Sequence, residues 1–384
     1  MKRFFRSEPY KGLFILGALC SIVGVGQWIL FYLGVIAEYP IKTHSQIMIL
    51  GFVFSYVSGF LMTAVPRMTG TQSASLLEKS IASGLVMLFM ICSFLGHDPF
   101  TFLVSTGMFT FLISFFVRRK LKMKDRELPT GFIFIPLGLL SGLTGSVLVL
   151  FSNFGFISLL ALGKLFLYEG FVLNLIIGLG SRLIPVLTRK SMALSPTEVN
   201  ELSHQMFFTE AVVFNGSFLI EVFLSSELGI LIRALTMSFV LVKNFRFLKP
   251  MSEKSNLGIS ISTAAFMFPL SYFLILFFPT YKMHLIHVLY IAGIASLTFL
   301  VSVRVSLAHG GVNLELEKSA NAILVFFFAF LTATVFRAIG PLFGGELILH
   351  FYALAATFFM LGLFIWGLFL RTVLFMGECD SEKC

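Results

Sequence analysis

The stretch that decides the fold is MHLIHVLYIAGIASLTFLVSVRVSLAHGG, which runs from Met283 to Gly311. It is apolar over most of its length, with His284 and His287 at one end and Arg304 and His309 at the other. About 20 apolar residues are enough to cross the hydrocarbon core of a membrane as a helix. Ionisable groups in such a run are costly to bury and therefore point to function. The stretch predicts a membrane-spanning helix with polar groups near both ends.

The composition of the whole chain agrees with a membrane protein. Of its 384 residues, 57% are hydrophobic and 12% charged, and the mean hydropathy is +0.95. An ordinary globular chain is about 25% charged. The sequence contains no CxxC pair, glycine-rich phosphate loop, HExxH or GxSxG motif, so soluble hydrolase and nucleotide chemistry lack support. We therefore predict an all-α polytopic protein whose main partner is the lipid bilayer.

Apolar segments of spanning length recur along the chain. The first is too long for a removable signal peptide and has no obvious cleavage site. The predicted twelve helices occupy residues 12–37, 43–66, 78–96, 99–117, 131–151, 155–185, 203–223, 227–247, 257–279, 284–307, 319–340 and 346–371.

The basic residues predict the orientation of these helices. Leaving aside Lys164, Arg182, Arg233, Arg304 and Arg337, which lie within the helices, 21 Lys and Arg fall at the two termini and in or beside the even-numbered loops, and only two, Lys42 and Lys282, in the odd-numbered loops. Because cytoplasmic loops carry an excess of Lys and Arg, both termini should lie in the cytoplasm. This distribution also explains the net charge of +9 without a nucleic-acid partner.

Three of the predicted helices carry markers at a regular spacing. Pro66 in the second helix, Pro185 in the sixth and Val305 in the tenth are separated by 119 and 120 residues. We interpret residues 1–384 as a single integral membrane domain of three pseudo-repeated four-helix units, 12–120, 129–248 and 256–374. Parallel repeats of this kind are related by an axis along the membrane normal. By analogy, the arrangement would be comparable to the haem–copper oxidase core, which binds haem through histidines near the outer ends of helices 2 and 10.

The charged tail 375–384 carries Cys379 and Cys384, which could bind a metal. Its composition favours a disordered cytoplasmic tail.

Three histidines are placed to act as metal ligands. His44 lies near the outer end of the second predicted helix, and His284 and His287 lie one turn apart at the start of the tenth. Neutral imidazole is a good ligand for haem iron or copper. The alternative is that these side chains are solvated residues at the membrane interface.

The sixth predicted helix is the most polar. It contains Lys164, Glu169, Asn174 and Arg182. Glu169 could act as a proton relay or a metal ligand, or it could form a structural ion pair with a cation on a neighbouring helix.

A second group should collect at the cytoplasmic ends of the helices. Arg182 and Arg304, together with Arg67 and His309, could bind haem propionates, another anion or lipid head groups. The alternative is that they are ordinary positive-inside anchors. Arg233, in the eighth helix, should lie nearer the outside.

Three motifs in this sequence resemble the NnrS family of polytopic membrane proteins. His287 is followed by Arg304, His309 and Gly310, as in the family's His–Arg–His pattern. The other two motifs are SRLIPVLTR, at 181–189, and the segment from His44 through GFLMTAVPRMTG, at 59–70. The resemblance covers nearly the whole chain. The sequence also departs from the family pattern. The family's second His and its Glu in the second helix fall on Gln46 and Ile47, its Asn and Trp after the proline fall on Arg67 and Met68, and histidines expected in the fifth and ninth helices are absent.

The resemblance implies a haem- and copper-containing protein of the bacterial inner membrane, linked to nitric oxide stress. It implies nitric oxide or its metal adducts as partners and leaves open whether the protein is an enzyme. The expected cofactor-binding residues are His44, His287, Arg182 and Arg304, with His284 and His309 as further metal ligands; the departures suggest that the copper has been lost. Two other functions remain open. One is a cofactor-free transporter or channel whose polar path runs through Glu169, Asn174 and Arg182, and the other is an assembly factor for a respiratory complex.

Overall fold

The structure is a computed structural model that describes residues 8–123, 129–190 and 201–375. Within these residues the chain consists of helices and loops, and its one β-bridge, between Lys190 and Met251, is isolated. Twelve long helices follow one another: α1 Pro9–Tyr32, α2 Ile41–Thr69, α3 Leu76–Phe94, α4 Asp98–Leu121, α5 Thr130–Ser152, α6 Leu159–Leu187, α7 Glu201–Phe223, α8 Ser226–Lys243, α9 Asn256–Phe277, α10 Pro279–His309, α11 Asn321–Phe343 and α12 Leu347–Phe375.

Eleven of these helices are long and apolar enough to cross a membrane within the described part of the chain. The remaining one, α8, has 18 residues, of which three, Glu227, Arg233 and Lys243, are charged. The prediction of an all-α polytopic membrane protein is confirmed.

The helix boundaries differ from the prediction by five residues at the end of α1 and at the start of α10. Helix α1 stops at Tyr32 rather than near residue 37. Gly34 adopts a left-handed conformation with φ of 70°, and Pro40 precedes α2. The apolar residues therefore continue past the end of the helix. A prediction from hydropathy alone places the helix end too late, because the turn at Gly34 does not change the hydropathy.

Some sequence predictions fall outside the described residues. They concern the basic residues before residue 8, Lys124 and Arg126 in the loop after α4, part of the loop after α6, and the tail with Cys379 and Cys384.

The chain divides into two compact units. The first comprises the described residues 8–97, 114–123 and 290–375. Its interior is aromatic: Phe299 stacks on Phe52 with ring centroids 5.1 Å apart and meets the edge of Trp366 at 5.1 Å. The indole N–H of Trp366 donates to the hydroxyl of Ser302 at 3.0 Å, which satisfies the polar end of this buried ring.

The second unit comprises residues 98–113, 129–190 and 201–289. Glycines allow α5 to approach α6 closely. A Cβ added to Gly145 would lie 2.6 Å from the backbone nitrogen of Leu167, and one added to Gly138 would lie 2.8 Å from the carbonyl oxygen of Phe171. Small residues at such contacts are typical of packing between membrane helices. The repeat units predicted from the sequence divide the chain elsewhere and stay a prediction.

Helices α2, α6 and α10 share an unusual feature. Each contains a π-helical segment, at Ile47–Val53, Phe166–Gly170 and Val288–Ala295 respectively. The described residues contain no other π-helical segment. These are the three helices that carry the regularly spaced markers, and the segments begin 17 to 19 residues before those markers. Because π-helical turns are rare and frequently occur at functional sites, the three segments direct attention to the side chains they hold.

Candidate functional site

His44 lies in the first turn of α2, and its ring orientation is fixed by the backbone of α1. The ring nitrogen Nδ1 is 2.8 Å from the carbonyl oxygen of Gly24. Because a carbonyl only accepts, Nδ1 carries the proton and Nε2 carries the lone pair. This is the tautomer that a metal-ligating histidine needs when it binds through Nε2.

Aromatic side chains and one cation surround His44 in the first unit. The Trp28 ring lies 5.6 Å from the ring of His44, 5.2 Å from Tyr39 and 5.1 Å from Tyr352. The guanidinium carbon of Arg337 lies 3.8 Å from the centre of the Tyr352 ring and 5.5 Å from that of Trp28. We call these five residues, His44, Trp28, Tyr39, Arg337 and Tyr352, the His44 site.

The His44 site is formed by five segments of the chain: α1, the loop before α2, α2 itself, α11 and α12. Tyr39 lies in the loop and hydrogen-bonds to Tyr352. Burial, reinforced by Tyr352, raises the pKa of the Tyr39 phenol above its usual value, so this ring stays neutral at physiological pH. Arg337 is 8% exposed and also hydrogen-bonds to Tyr352. The site therefore presents a fixed positive charge close to the imidazole.

His284 and His287 lie at the start of α10 and belong to the second unit. The Nδ1 atom of His287 is 2.9 Å from the carbonyl oxygen of Met283, so this ring also carries its lone pair on Nε2. Both side chains are partly buried. Since His44 belongs to the first unit, a shared iron between His44 and His287 stays a prediction.

The predicted cytoplasmic group divides into separate contacts. In the first unit, Nη1 of Arg67 contacts the imidazole ring of His309, and Nη2 pairs with Glu8 at 2.8 Å. Arg304 binds both carboxylate oxygens of Glu317, at 2.9 and 2.8 Å. The guanidinium of Arg304 is thus already engaged by a carboxylate on its own unit.

Arg182 differs from Arg304. It is exposed and belongs to the second unit, and the structure shows no ion pair for it within the described residues.

The second unit contains a buried chain of charges. Arg233 pairs with Glu221 through Nη2, and its Nε lies 3.6 Å from an oxygen of Glu169. Lys282 pairs with the other oxygen of Glu221 at 2.7 Å, and the hydroxyl of Tyr272 donates to Glu169 at 2.6 Å. We call these five residues the Glu169 network. They join α6, α7, α8, α9 and α10, and Glu169 lies in the π-helical segment of α6.

Of the alternatives for Glu169, the structure shows the ion pair with a cation on another helix. Lys164, five residues earlier, is exposed. One turn beyond Glu169, the side-chain amide of Asn174 exchanges hydrogen bonds with that of Asn215 at 2.8 and 3.0 Å. Glu169 and Asn174 are therefore linked to α7, α8 and α9 rather than to each other.

The donor sets limit the metal chemistry available. No group of three or more His, Cys, Asp or Glu side chains converges on one point within residues 8–123, 129–190 and 201–375. At two of the positions where the sequence departs from the NnrS motif, Gln46 accepts a hydrogen bond from Ser93 at 2.8 Å and Ile47 is fully buried. Neither position supplies a strong metal ligand.

Comparison with known proteins identifies the family. The model of the NnrS protein family matches residues 4–376. The chain belongs to the NnrS family. A search of curated proteins gives no match. Membership of the NnrS family fits a function related to nitric oxide, and it confirms the resemblance drawn from the motifs.

Several residues of the His44 site and of the Glu169 network of this NnrS protein were not identified from the sequence. Glu221 was detectable because, like Arg233, it is an ionisable residue within a predicted apolar helix. Trp28, Tyr39 and Tyr352 were not, because aromatic residues are abundant in this chain and nothing in their spacing links them to His44.

Proposed function

We propose that this protein is a haem-binding NnrS protein of the bacterial inner membrane that acts in the response to nitric oxide. The observation that carries the proposal is the hydrogen bond from His44 Nδ1 to the carbonyl oxygen of Gly24. It leaves Nε2 as the coordinating atom, and His44 is also the histidine that the NnrS motif places in this helix.

The side chains around His44 are of the chemical kinds that bind a flat, partly anionic ligand. Trp28, Tyr39 and Tyr352 offer ring faces and edges for contact with a macrocycle, and the guanidinium of Arg337 offers a charge for a carboxylate. When bound, haem iron supplies a coordination position for small diatomic ligands. The protein side chains would hold the macrocycle and screen it from water, and His44 would keep its Nε2 directed at the iron.

His287 and its neighbour His284 belong to the second unit, and their part in haem binding stays a prediction from the sequence. The tautomer of His287 is set by Met283 in the way that Gly24 sets that of His44. The two predicted propionate partners, Arg182 and Arg304, were predicted at the cytoplasmic helix ends, away from His44, and Arg304 already binds Glu317, so Arg337 takes this role in the proposal.

The described residues do not fit copper in the same way. A copper site commonly uses three strong protein ligands, and no such group is found among the residues that the structure describes. Gln46, which is hydrogen-bonded to Ser93, and the buried Ile47 stand where the family has its second His and its Glu, so these two positions also lack a strong copper ligand. Copper is therefore not part of the proposed function.

A visible spectrum tests the proposal directly. The full chain, expressed in a haem-replete host and purified in detergent, should show a Soret band. His44→Ala should reduce that band to background, whereas His204→Ala, which removes an exposed histidine of α7, should leave it unchanged. If His287 is the second ligand, as the sequence predicts, His287→Ala should alter the spin state of the iron. Absence of haem from the wild-type protein, or an unaltered band in His44→Ala, would refute the assignment of His44.

A cofactor-free transporter is the second candidate, and the Glu169 network favours it. The network leads from the partly exposed Lys282, whose side chain is 40% accessible, to Glu169, at 7%. Glu169 and Asn174 are buried, whereas Arg182 is exposed, so the predicted path would need to continue elsewhere. Flux into liposomes that is lost in Glu169→Gln, from a protein that carries no haem, would favour this candidate.

A further inference from the structure

The three π-helical segments can be compared position by position. Counting 16 residues back from the markers Pro66, Pro185 and Val305 leads to Leu50, Glu169 and Leu289. All three residues lie within π-helical segments, and all three are buried, at 0%, 6% and 0% exposed. The same backbone position thus holds leucine twice and glutamate once.

This comparison separates the packing role of the position from its chemistry. In α2 and α10 a leucine fills the position, so the local architecture does not require a charge there. A buried ion pair is seldom more stabilising than well-packed apolar side chains of similar volume. A carboxylate at position 169 is therefore better explained by a chemical role, such as binding a proton, than by a contribution to the stability of the fold.

The charges around Glu169 are unevenly shared. Glu221 has two cationic partners, Arg233 and Lys282, both in direct contact. Glu169 has the hydroxyl of Tyr272 at 2.6 Å and the Nε of Arg233 at 3.6 Å, beyond hydrogen-bonding distance. That Nε atom is buried without a hydrogen-bond partner, on a side chain that is 1% exposed. A neutral carboxyl at Glu169 would therefore lose little direct contact, while Arg233 would keep Glu221.

The network also has one end at the surface of the protein, where Lys282 follows the turn 279–281 at the start of α10. The side chain of Lys282 is 40% accessible, whereas those of Glu221 and Arg233 are 7% and 1% accessible. The other helix packed against this part of α6 is α5, and its residues 134–152 contain no charged side chain. The titratable and charged groups around Glu169 are thus Tyr272, Arg233, Glu221 and Lys282, with Glu227 near Lys282.

We propose that Glu169 is a proton-exchange site reached from the aqueous side at Lys282. One proton from the medium adds to a carboxylate oxygen of Glu169, an O–H bond forms, and the ion pair with Arg233 is lost. Arg233 remains a cation paired with Glu221 throughout, and the formal charge of the five side chains rises from zero to plus one. Release of the proton to the medium reverses the step. The proposal concerns the protein without any cofactor and does not depend on the proposed function.

Infrared difference spectroscopy of the haem-free full chain in detergent tests this site. A pH change should produce a protonated-carboxyl C=O band that shifts in deuterated water. Glu169→Gln should remove that band. Glu210→Gln is the matched control, because Glu210 is a second buried acid, 5% exposed, that accepts a hydrogen bond from Asn244. The control should keep the Glu169 band.

Two further variants separate proton exchange from a structural role. Tyr272→Phe should shift the frequency of the band, because it removes the hydrogen bond to Glu169 without removing the carboxyl. Lys282→Met should slow the appearance of the band several-fold after a rapid pH change. Identical difference spectra for wild type and Glu169→Gln, or a band in wild type that Tyr272→Phe leaves unmoved, would overturn the proposal. If Glu169→Gln does not fold, Glu169→Leu supplies a protein without a carboxyl at this position, since leucine fills it in α2 and α10 and Arg233 keeps its pair with Glu221.

Discussion

Arg233 binds two buried carboxylates, and its removal is the most informative single change in the second unit. In Arg233→Met, Glu169 keeps only Tyr272 and Glu221 keeps only Lys282. Breaking a buried pair by removing one partner costs about 3–5 kcal/mol, because a charge is left uncompensated. We therefore expect a clearly lower thermal unfolding temperature in detergent.

The control for this prediction is Arg118→Met. Arg118 also contacts a glutamate, Glu78, but its side chain is 53% accessible and Glu78 keeps a second partner in Arg119. An exposed pair contributes about 0–1 kcal/mol, so the unfolding temperature should change little. Equal shifts in the two variants would mean that Arg233 is not the central cation of the network.

The contact between α5 and α6 is the element whose geometry depends most on a missing side chain. Gly145→Ala would place a Cβ 2.6 Å from the backbone nitrogen of Leu167 and 2.8 Å from the carbonyl oxygen of Gly163. Backbone atoms cannot move aside without shifting a helix, so we expect a loss of about 1–3 kcal/mol, measured by thermal unfolding. Gly216→Ala is the control, because nothing lies within 4 Å of a Cβ at that position in α7. Unchanged stability in Gly145→Ala would contradict the close approach of α5 and α6.

The sequence predicted the helices well because hydropathy is a property of each segment alone. It predicted the positions of His44 and Glu169 within their helices for the same reason. The π-helical segments were not predictable, since a π turn changes the hydrogen-bonding pattern and leaves the apolar composition unchanged. The partners of Glu169 were not predictable either, because Glu221, Arg233 and Tyr272 come from three other helices whose packing no local pattern encodes.

For the whole molecule, the distribution of basic residues predicts the orientation in the membrane, which the fold does not test. Lys42 should face the outside of the cell and Lys249 the cytoplasm. In a background without the native cysteines, a membrane-impermeant maleimide should label intact cells carrying Lys42→Cys and leave those carrying Lys249→Cys unlabelled. Both positions are exposed, so accessibility to the reagent is matched. Labelling in the opposite order would reverse the proposed orientation of the termini.

The depth of Glu169 gives the network an electrical consequence. Glu169 lies ten residues after the start of α6 at Leu159, or about 15 Å along the helix axis, roughly half of a hydrocarbon core of about 30 Å. A proton that reaches Glu169 from the aqueous side at Lys282 would cross a comparable fraction of the transmembrane field. Moving one charge through the full field changes the free energy by about 2.3 kcal/mol per 100 mV, so half of it corresponds to about 1 kcal/mol. Membrane voltage, as well as proton concentration, would then set how often Glu169 is protonated.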